Sequence, residues 1–562
     1  MYSMSGAELV IRLLERQGID CLAGIPGGAN LPLYDALSQS RAIRHVLARH
    51  EQGAGFIAQG MARSTGKPAV FFATSGPGAT NTLTAIADAK LDSVPVICIT
   101  GQVPRALIGS DAFQEVDIYG MSIPVTKHNF LVRTIEELLH VIPEAFRIAS
   151  SGRPGPVLVD IPKDVQTATI TFDAYPEPGA PDPSEAPCPE SLHRAAALIN
   201  SARKPVLMLG AGVAASGAGE AALAFAEKAN LPTTMSLLGL GIMQQDHPLH
   251  LGMLGMHGAR YTNMLIEECD LLIVAGARLD DRATGRVERF CPTAQLIHID
   301  IDHSELDKLR QAAVGIRADV GTALTSLLGL VEANPRTQWL HRVQTLKTQH
   351  PLVLPGADNP LTPYGLVRCT GNLLDERTIV ATDVGQHQMR TAQAYPDLHP
   401  QQWLTSGGLG TMGFGLPAAI GAALANPDRT VVCFTGDGSL QMNIQELATA
   451  AETGVNVKIV LANNNGLGLV QQQQDLFYGR RIFGSDYRIR IDFLKIAQGF
   501  GIRAVDLGAS KDPWADLERA LRREGPCLIH VPVAVEENVY PMVPPGAANI
   551  EMIGGEADAA AN

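Results

Sequence analysis

The 562-residue sequence lacks the features of membrane, secreted and redox-motif proteins. It has no run of about 18 apolar residues, so we expect no transmembrane helix. Its first twenty residues carry charges where a signal peptide would be continuously apolar. The eight cysteines are scattered, none forms a C-x-x-C pair, and several lie in apolar runs. We therefore expect reduced, buried thiols in a soluble, cytoplasmic protein.

Positive charge is also scarce. The formal net charge is −13 at pH 7, which argues against a nucleic-acid partner because a phosphate backbone binds basic surfaces. The densest basic segment lies near Arg480, and we interpret it as a solvated loop. We expect neither nucleic acid nor a membrane among the partners.

What the sequence does contain is typical of a large globular protein, with 46 % hydrophobic and 18 % charged residues. Two proline-rich segments, 172–190 and 350–363, separate three blocks in which Val/Ile-rich runs alternate with helical patterns. This alternation predicts an α/β fold with three doubly wound parallel-sheet domains. The predicted units are residues 1–172, 190–335 and 360–540, followed by a C-terminal tail of residues 541–562. We expect the segment AELVIRLLERQG, residues 7–18, to form an amphipathic helix.

The most specific pattern lies in residues 431–465. A strand ending at Phe434 precedes the glycine-rich turn 436–439, a helix follows, and a second strand runs from Val457 to Ala462 before Asn463 and Asn464. The helix is expected to have an apolar face, which comprises Met442, Ile444, Leu447, Ala448 and Ala451.

Asp437 and Asn464 follow these two strands, and parallel βαβ strands end on the same sheet edge, so we expect them side by side. Oxygen ligands suit a Mg²⁺ ion that also binds phosphate oxygens, and glycines and a helix N-terminus favour a diphosphate. The turn alone is equally consistent with an ordinary strand–turn–helix. Together with the later Asn pair, the spacing resembles the thiamine diphosphate motif. That resemblance implies three metal ligands: Asp437, Asn464 and the carbonyl of Gly466.

Glu51 is the candidate for acid–base work. Taken alone, it is explained as well or better by a first-turn glutamate that the helix dipole stabilises. However, glycine-rich turns lie both upstream (AGIPGGANLPLYD) and downstream (TSGPGATN), which indicates a cofactor-facing edge. In thiamine enzymes a carboxylic group beside the aminopyrimidine nitrogen drives tautomerisation, and the resemblance assigns that role to Glu51. The acid and the metal anchor lie in separate domains, so the resemblance implies that they meet across the interface of a homodimer.

Motifs in all three blocks resemble the catalytic large subunit of acetohydroxyacid (acetolactate) synthase. They include GIPGGANLPLYD, RHEQGAG, GSDAFQEVDIYG, SGRPGPVLVDIPKDV, GMLGMHG, GARLDDR, TDVGQHQM and NVYPMVPPGAA. The last block is most similar to the bacterial isozyme I form, through GLGLVQQQQ and VPPGAAN. The resemblance implies decarboxylation of pyruvate and condensation with pyruvate or 2-oxobutanoate, in branched-chain amino-acid biosynthesis of valine and isoleucine. It also implies a homodimer or tetramer and a small regulatory subunit.

Motif matching assigns roles residue by residue. The catalytic set implied by the resemblance is Glu51, Gly28, Phe113, Gln114 and Lys163. The implied thiamine diphosphate contacts are Thr74, Pro77, Asn81, Val384, Gly385, Gln386, His387, Gly410, Met412, Gly436, Gly438, Ser439 and Leu469. Singly, Phe113 and Met412 are as well explained as core residues, Lys163 as an exposed lysine and His387 as a loop histidine. Together, within matched motifs, the functional interpretation is favoured.

The central block is where the family binds FAD, mostly in a structural role. Its LGAGV segment is a weak dinucleotide fingerprint, because a full G-x-G-x-x-G is absent. One departure is ADV at 318–320, where many relatives have GDA. The FAD contacts implied by the resemblance are Arg153, Gly210, Ala211, Gly212, Ser236, Leu237, Leu254, Gly255, His257, Gly276, Ala277, Arg278, Asp280, Arg282, Asp300, Ile301 and Asp319.

Gln473 is a second departure. Many family members have tryptophan at this position, which favours 2-oxobutanoate as the acceptor. Loss of that apolar wall removes a selectivity of about 1–3 kcal/mol. We therefore predict little preference for 2-oxobutanoate over pyruvate.

Other functions remain as alternatives at this point. Among thiamine enzymes, glyoxylate carboligase is disfavoured by Glu51, the FAD-free catabolic acetolactate synthase by GARLDDR with GMLGMHG, and pyruvate oxidase by DAFQE with IPKDV. A nucleotide-dependent oxidoreductase, suggested by LGAGV, leaves the turn at Asp437 and the Asn pair unexplained. A non-catalytic scaffold is opposed by the intact Glu51, Asp437, Asn464 and Lys163.

Overall fold

The computed structural model describes residues 1–534 and 537–555. Within them lie three six-stranded sheets, in each of which all strand pairs are parallel. Helices cover both faces of buried, Val/Ile-rich strands, which is how parallel sheets are stabilised. The predicted α/β class with three doubly wound parallel-sheet domains is therefore confirmed. The last seven residues of the predicted tail, 556–562, lie outside the described residues.

The first domain has eight strands: β1 (Tyr2–Ser5), β2 (Cys21–Gly24), β3 (Arg44–Leu47), β4 (Ala69–Ala73), β5 (Val96–Gln102), β6 (His128–Leu131), β7 (Val157–Pro162) and β8 (Thr169–Phe172). Its helices are α1 (Gly6–Arg16), α2 (Leu31–Ser38), α3 (Glu51–Thr65), α4 (Pro77–Asn81), α5 (Leu83–Leu91), α6 (Ile118–Ser122), α7 (Leu138–Ser150) and α8 (Lys163–Thr167). The main sheet has the order β3-β2-β4-β5-β7-β6.

The predicted first helix is present, and a strand that the sequence analysis did not identify precedes it. Tyr2–Ser5 is a strand that pairs antiparallel with β8, so the helix does not include it. The helix begins at Gly6 because the Ser5 side chain accepts a hydrogen bond from the Glu8 N–H, and the Glu8 carboxylate accepts one from the Ser5 N–H. This capping box satisfies two backbone donors at the helix N-terminus.

The central domain has strands β9 (Pro205–Leu209), β10 (Thr233–Met235), β11 (His250–Met253), β12 (Leu271–Ala275), β13 (Gln295–Asp300) and β14 (Val314–Arg317). Its helices are α9 (Pro189–Ser201), α10 (Ala211–Ala215), α11 (Gly219–Ala229), α12 (Arg260–Glu268), α13 (Asp281–Thr284) and α14 (Val320–Leu330). Helix α15 (Thr337–Gln349) packs on the same sheet through Trp339, Val343 and Leu346. The strand order is β11-β10-β9-β12-β13-β14.

The third domain has strands β15 (Ile379–Thr382), β16 (Trp403–Leu404), β17 (Val431–Gly436), β18 (Val457–Asn463), β19 (Arg503–Asp506) and β20 (Cys527–Pro532). Its helices are α16 (Pro363–Asn372), α17 (Gln386–Ala394), α18 (Gly415–Ala425), α19 (Asp437–Met442), α20 (Glu446–Thr453), α21 (Gly468–Phe477), α22 (Phe493–Gly499) and α23 (Pro513–Arg522). The strand order is β16-β15-β17-β18-β20-β19.

Two glycines bring the first and third domains into close contact. A Cβ built on Gly60 of α3 would lie 2.0 Å from the Ala418 carbonyl oxygen, and one on Gly421 of α18 would lie 1.9 Å from the Ile57 carbonyl oxygen. The two helices therefore pack backbone to backbone. Around them one apolar core contains residues of both domains, including Ile57 and Ile420.

Two expectations about the whole chain bear on this architecture. All eight cysteines are free and six are buried, whereas Cys188 is exposed. No helix among the described residues combines the length and the apolar character needed to cross a bilayer.

Candidate active site

Each six-stranded sheet has a point where the strand order reverses, and ligands of open α/β sheets bind there, beyond the carboxyl ends of the strands. In the third sheet this point lies between β15 and β17, in the central sheet between β9 and β12, and in the first sheet between β2 and β4. The chain thus offers three candidate ligand positions.

The predicted metal ligands converge at the reversal point of the third sheet. The Gly466 N–H lies 2.9 Å from Asp437 Oδ2 and 3.3 Å from Asn464 Oδ1. Asp437 is buried, and this burial raises the pKa of its carboxyl to about 6. A carboxylate, an amide oxygen and the nearby Gly466 carbonyl form an oxygen donor set that suits Mg²⁺. Among the described residues no cluster of three His, Cys, Asp or Glu side chains could hold a metal, so a metal here would need the amide and the carbonyl.

The local structure around Asp437 differs from the prediction in two respects. Strand β17 continues to Gly436, and Asp437 is the first residue of α19 and not part of a turn. The predicted single helix is broken at Asn443, whose side chain donates to the Gly413 carbonyl, and Met442 is exposed and not on the buried face. The physical reason is a long-range contact with the 413 loop, which local periodicity does not contain.

A narrow cavity opens beside this donor set, and its lining has the features of a diphosphate site. A Cβ on Gly436 would lie 2.9 Å from His387 Nδ1, and one on Gly438 would lie 2.6 Å from Leu467 Cδ2, so only glycine leaves backbone accessible there. The buried Nε2 of His387 has no hydrogen-bond partner among the described residues. The lining residues are Val384, Gly385, Gln386, His387, Arg390, Met412, Gly436, Asp437, Gly438, Ser439, Ala462, Asn464, Gly466, Leu467, Gly468, Leu469, Val470 and Val533.

Helix α17 points its N-terminus into this cavity. Gly385, its N-cap, has φ 152° and no side chain that would cover the first N–H groups. Burial lowers the pKa of His387 to about 3, so its ring is neutral at pH 7. A helix N-terminus, glycine backbone and an unpartnered imidazole nitrogen fit the oxygens of a diphosphate. The residues present thus fit both magnesium and the diphosphate of thiamine diphosphate.

A second group of predicted residues comes together at the carboxyl edge of the first sheet. Asn81 Nδ2 donates to Glu51 Oε2 at 2.9 Å, and Glu51 is buried. The Thr74 hydroxyl lies 3.3 Å from the Ala29 N–H and holds the loop that carries Gly28. The close approach of Gln114 to the 74–78 turn is shown by Gly76, where a Cβ would lie 2.8 Å from the Gln114 carbonyl oxygen.

These first-domain residues line neither the diphosphate cavity nor the large cavity described below. Gly28 and Pro77 are exposed, and Phe113 is 88 % exposed. Lys163 is half-buried at the start of α8, directly after β7. Within one chain the candidate acid and the candidate metal site are therefore separate.

A large cavity of about 540 Å³ lies where the three domains meet. Of the predicted FAD contacts it is lined by Arg153, Ala211, Gly212, Ser236, Leu237, Leu254, His257, Gly276, Ala277, Arg278, Asp280, Arg282, Asp300, Ile301 and Asp319. Gly210 and Gly255 are not among the lining residues. Their role is close packing, because a Cβ would lie 2.3 Å from the Gly276 carbonyl oxygen at Gly210 and 2.2 Å from the Arg282 carbonyl oxygen at Gly255.

Charged groups line one side of the large cavity. Arg153 forms ion pairs of 3.1 Å with Asp302 and 2.7 Å with Glu305. Burial raises the pKa of the neighbouring Asp300 to about 6. Gln473, the predicted selectivity residue, and the thiamine candidates Gly410, Val384 and Leu469 line the same cavity.

Sequence reasoning did not identify the residues that hold the 406–412 loop between the two cavities. Asp92, on the first domain, accepts hydrogen bonds from the Gly407 and Gly408 N–H groups at 2.9 and 2.7 Å. Asp88 accepts one from the Thr411 hydroxyl at 2.7 Å. Arg63 pairs with Asp92 at 2.8 Å and with Asp88 at 3.4 Å, and so offsets part of the negative charge of the cluster. The sequence reasoning also did not identify Arg390. This residue lies four positions after Gln386 and therefore on the same face of α17.

Comparison with known proteins agrees with this geometry. Three family models of thiamine pyrophosphate enzymes match the chain. The N-terminal TPP binding domain matches residues 4–121, the central domain matches residues 192–327, and the C-terminal TPP binding domain matches residues 383–531. The chain is 60 % identical to the acetolactate synthase isozyme 1 large subunit of Escherichia coli (strain K12), over 98 % of both chains. It is 45 % identical to that organism's isozyme 2 large subunit over 98 % of this chain and 99 % of the relative.

A relative from another organism extends the comparison. The acetolactate synthase large subunit of Parasynechococcus marenigrum (strain WH8102) is 45 % identical over 98 % of this chain and 91 % of its own length. With three thiamine pyrophosphate domains in the matching order, the chain belongs to the acetolactate synthase large-subunit family of thiamine pyrophosphate enzymes.

Proposed function

We propose that this thiamine-dependent carboligase decarboxylates pyruvate and joins the remaining two-carbon unit to a second 2-oxo acid. Pyruvate as acceptor gives 2-acetolactate and 2-oxobutanoate gives 2-aceto-2-hydroxybutanoate, the precursors used in branched-chain amino-acid biosynthesis. The observation that carries this proposal is the convergence of Asp437, Asn464 and Gly466 beside the N-terminus of α17, in a chain with 60 % identity to an acetolactate synthase.

The chain's own residues have distinct tasks in this proposal. Asp437, Asn464 and the Gly466 carbonyl would hold Mg²⁺, a cation that would supply positive charge to the diphosphate. The backbone at Gly385 and Gly438 and the His387 ring would bind the diphosphate. Thiamine diphosphate, when bound, would supply a nucleophilic carbon for the 2-oxo acid and a thiazolium ring that can take up the electron pair released with CO₂.

Glu51 is proposed to exchange a proton with the pyrimidine nitrogen of the cofactor. Its 2.9 Å hydrogen bond from Asn81 fixes one carboxylate oxygen and leaves the other for that role. Since Glu51 lines neither cavity of its own chain, we propose that it serves the metal site of a second copy, in a homodimer. The exposed Phe113 side chain, on the same sheet edge, supports this because such apolar surface needs a cover.

The large cavity is proposed to hold FAD. Its volume of about 540 Å³ lies within the usual range of ligand sites, and it contains glycine backbone at Gly212 and Gly276 with Arg153 and Arg278. The proposed reaction transfers no net electrons, so the flavin would stabilise the domain arrangement. We further propose a small regulatory subunit as partner, because the similar proteins are described as large subunits.

Product analysis from pyruvate tests the proposal. With thiamine diphosphate, Mg²⁺ and FAD present, the purified protein is expected to form 2-acetolactate and CO₂ without stoichiometric oxygen consumption. Chelation of the metal should abolish activity, because the diphosphate would lose its bridge to Asp437 and Asn464, and adding back Mg²⁺ should restore it. Oxygen consumed in proportion to pyruvate would instead indicate a pyruvate oxidase.

Competition between acceptors tests the role proposed for Gln473. In equal mixtures of pyruvate and 2-oxobutanoate, we expect the two products in a ratio within about tenfold of unity, because a polar glutamine offers no apolar contact for the extra methyl group. Gln473→Trp is expected to raise the 2-oxobutanoate product by about tenfold or more. A wild-type ratio of tens in favour of that product would contradict the role.

A further inference from the structure

Arg390 lies one helical turn after Gln386 on α17, the helix whose N-terminus enters the diphosphate cavity. Residues four apart share a helix face, and long side chains on a helix lean back toward its N-terminus. Arg390 accordingly lines the cavity, although only 3 % of its surface is exposed. The side chain therefore borders the cavity and is shielded from solvent.

The guanidinium is poorly partnered for a buried cation. Its Nη2 donates to the Glu537 backbone carbonyl, and its carbon lies 5.8 Å from the centre of the Tyr364 ring. Its Nε has no hydrogen-bond partner among the described residues, and no carboxylate among them lies within ion-pair distance. The Glu537 carboxylate attracts the guanidinium but lies beyond ion-pair distance, and burying a cation without a closely paired anion is costly unless a ligand supplies one.

The charges around the cavity indicate what the Arg390 cation would contribute to a bound diphosphate. Of the described lining residues, Arg390 is the one that carries positive charge at pH 7, because His387 is neutral. Asp437 carries the opposite charge at the metal position. A diphosphate ester with one Mg²⁺ retains net negative charge, and Arg390 is the cation placed to offset it.

We propose that Arg390 is a phosphate-recognition residue that supplies positive charge and N–H donors to the diphosphate group of the bound cofactor. The inference rests on the proposed thiamine diphosphate site and adds a residue to it. The ligand class is a diphosphate ester. The part of the cofactor that carries no phosphate is not recognised by Arg390.

Two substitutions separate the charge from the hydrogen bond to Glu537. Arg390→Gln keeps a donor for the Glu537 carbonyl and removes the charge, whereas Arg390→Lys keeps the charge. In the full-length protein with FAD and Mg²⁺, the dissociation constant for thiamine diphosphate is measured by calorimetry. We expect it to rise about tenfold or more in Arg390→Gln and by less than about threefold in Arg390→Lys. Competition by inorganic diphosphate should weaken in parallel.

Arg336 provides a matched control. It is also buried and donates to backbone carbonyls, of Ala229 and Ile199, but it lies in the central domain outside the cavity. Arg336→Gln is expected to lower thermal stability without changing cofactor affinity. If Arg390→Gln does not fold, as judged by FAD content and circular dichroism, Arg390→Met replaces it as the neutral variant.

The outcomes distinguish this inference from the proposed function. Wild-type protein that shows no Mg²⁺-dependent binding of thiamine diphosphate contradicts the site itself. Wild-type binding with an unchanged dissociation constant in a folded neutral variant of Arg390 overturns only the role of Arg390. A tenfold loss in both Arg390→Gln and Arg336→Gln also overturns it, because a general loss of stability would then be the cause.

Discussion

Replacing Glu51 by glutamine is expected to lower acetolactate formation by about 10²- to 10⁴-fold, the range for loss of a general acid–base group. The amide has the same shape and still accepts the hydrogen bond that Asn81 donates at 2.9 Å. It cannot exchange a proton with the pyrimidine nitrogen. The loss should therefore appear in kcat, while thiamine diphosphate affinity and FAD content stay close to those of the wild type.

Glu220 is the matched control. It tests the alternative explanation of Glu51, in which a first-turn glutamate is only stabilised by the helix dipole. It also lies in the first turn of a helix, α11, and it is exposed and remote from both cavities. Glu220→Gln should leave kcat unchanged, because it loses only a favourable helix-dipole interaction. Steady-state rates with pyruvate at saturating cofactors make the comparison. Wild-type rates in Glu51→Gln would refute the acid–base role.

Gly421→Ala is expected to give the largest loss of stability. The added methyl group would lie 1.9 Å from the Ile57 carbonyl oxygen, which belongs to the backbone and cannot rotate away. Helices α3 and α18 must separate, and the apolar core shared by the first and third domains opens with them. Overpacking of this kind costs about 1–3 kcal/mol or more, and for cooperative unfolding of the whole chain we expect the thermal midpoint to fall by roughly 1–3 °C.

The same substitution at Gly329 is expected to change the stability in the opposite direction. It also lies in a helix, α14, but a Cβ there has no heavy atom within 4 Å. Gly329→Ala should stabilise the protein by up to about 1 kcal/mol through helix propensity. Differential scanning fluorimetry of both variants with bound cofactors checks the pair. Equal midpoints for Gly421→Ala and the wild type would show that the two helices can move apart freely.

Much of the fold follows from local pattern. Continuous apolar runs such as β4 and β17 are buried on both faces, and this alone predicts parallel sheets. The same logic predicts that Asp437 and Asn464 meet, because βαβ geometry brings successive strand ends together. What the pattern lacks are contacts between distant segments. Strand β1 pairs with β8, and Asn443 breaks a helix by binding the 413 loop.

The candidate site likewise contains residues that the sequence identifies and residues that only the structure identifies. The motif resemblance identified the residues around Asp437 as cofactor contacts, whereas it assigned no cofactor contact to Asp88, Asp92 or Arg390. Arg390 is identified as a candidate only when burial and cavity lining are known. The thiamine pyrophosphate domains support the assignment of that cofactor, whereas Mg²⁺ and FAD are predictions that the experiments above address.

The large cavity at the junction of the three domains has a thermodynamic consequence. Its lining includes Arg153 from the first domain, Gly212 from the central domain and Gln388 from the third. A ligand that contacts all three favours the one relative orientation in which these contacts coexist, by RT ln(1 + [L]/Kd). Filling the cavity therefore adds contacts among all three domains to the apolar core that the first and third already share, and the chain unfolds more cooperatively when the cavity is occupied.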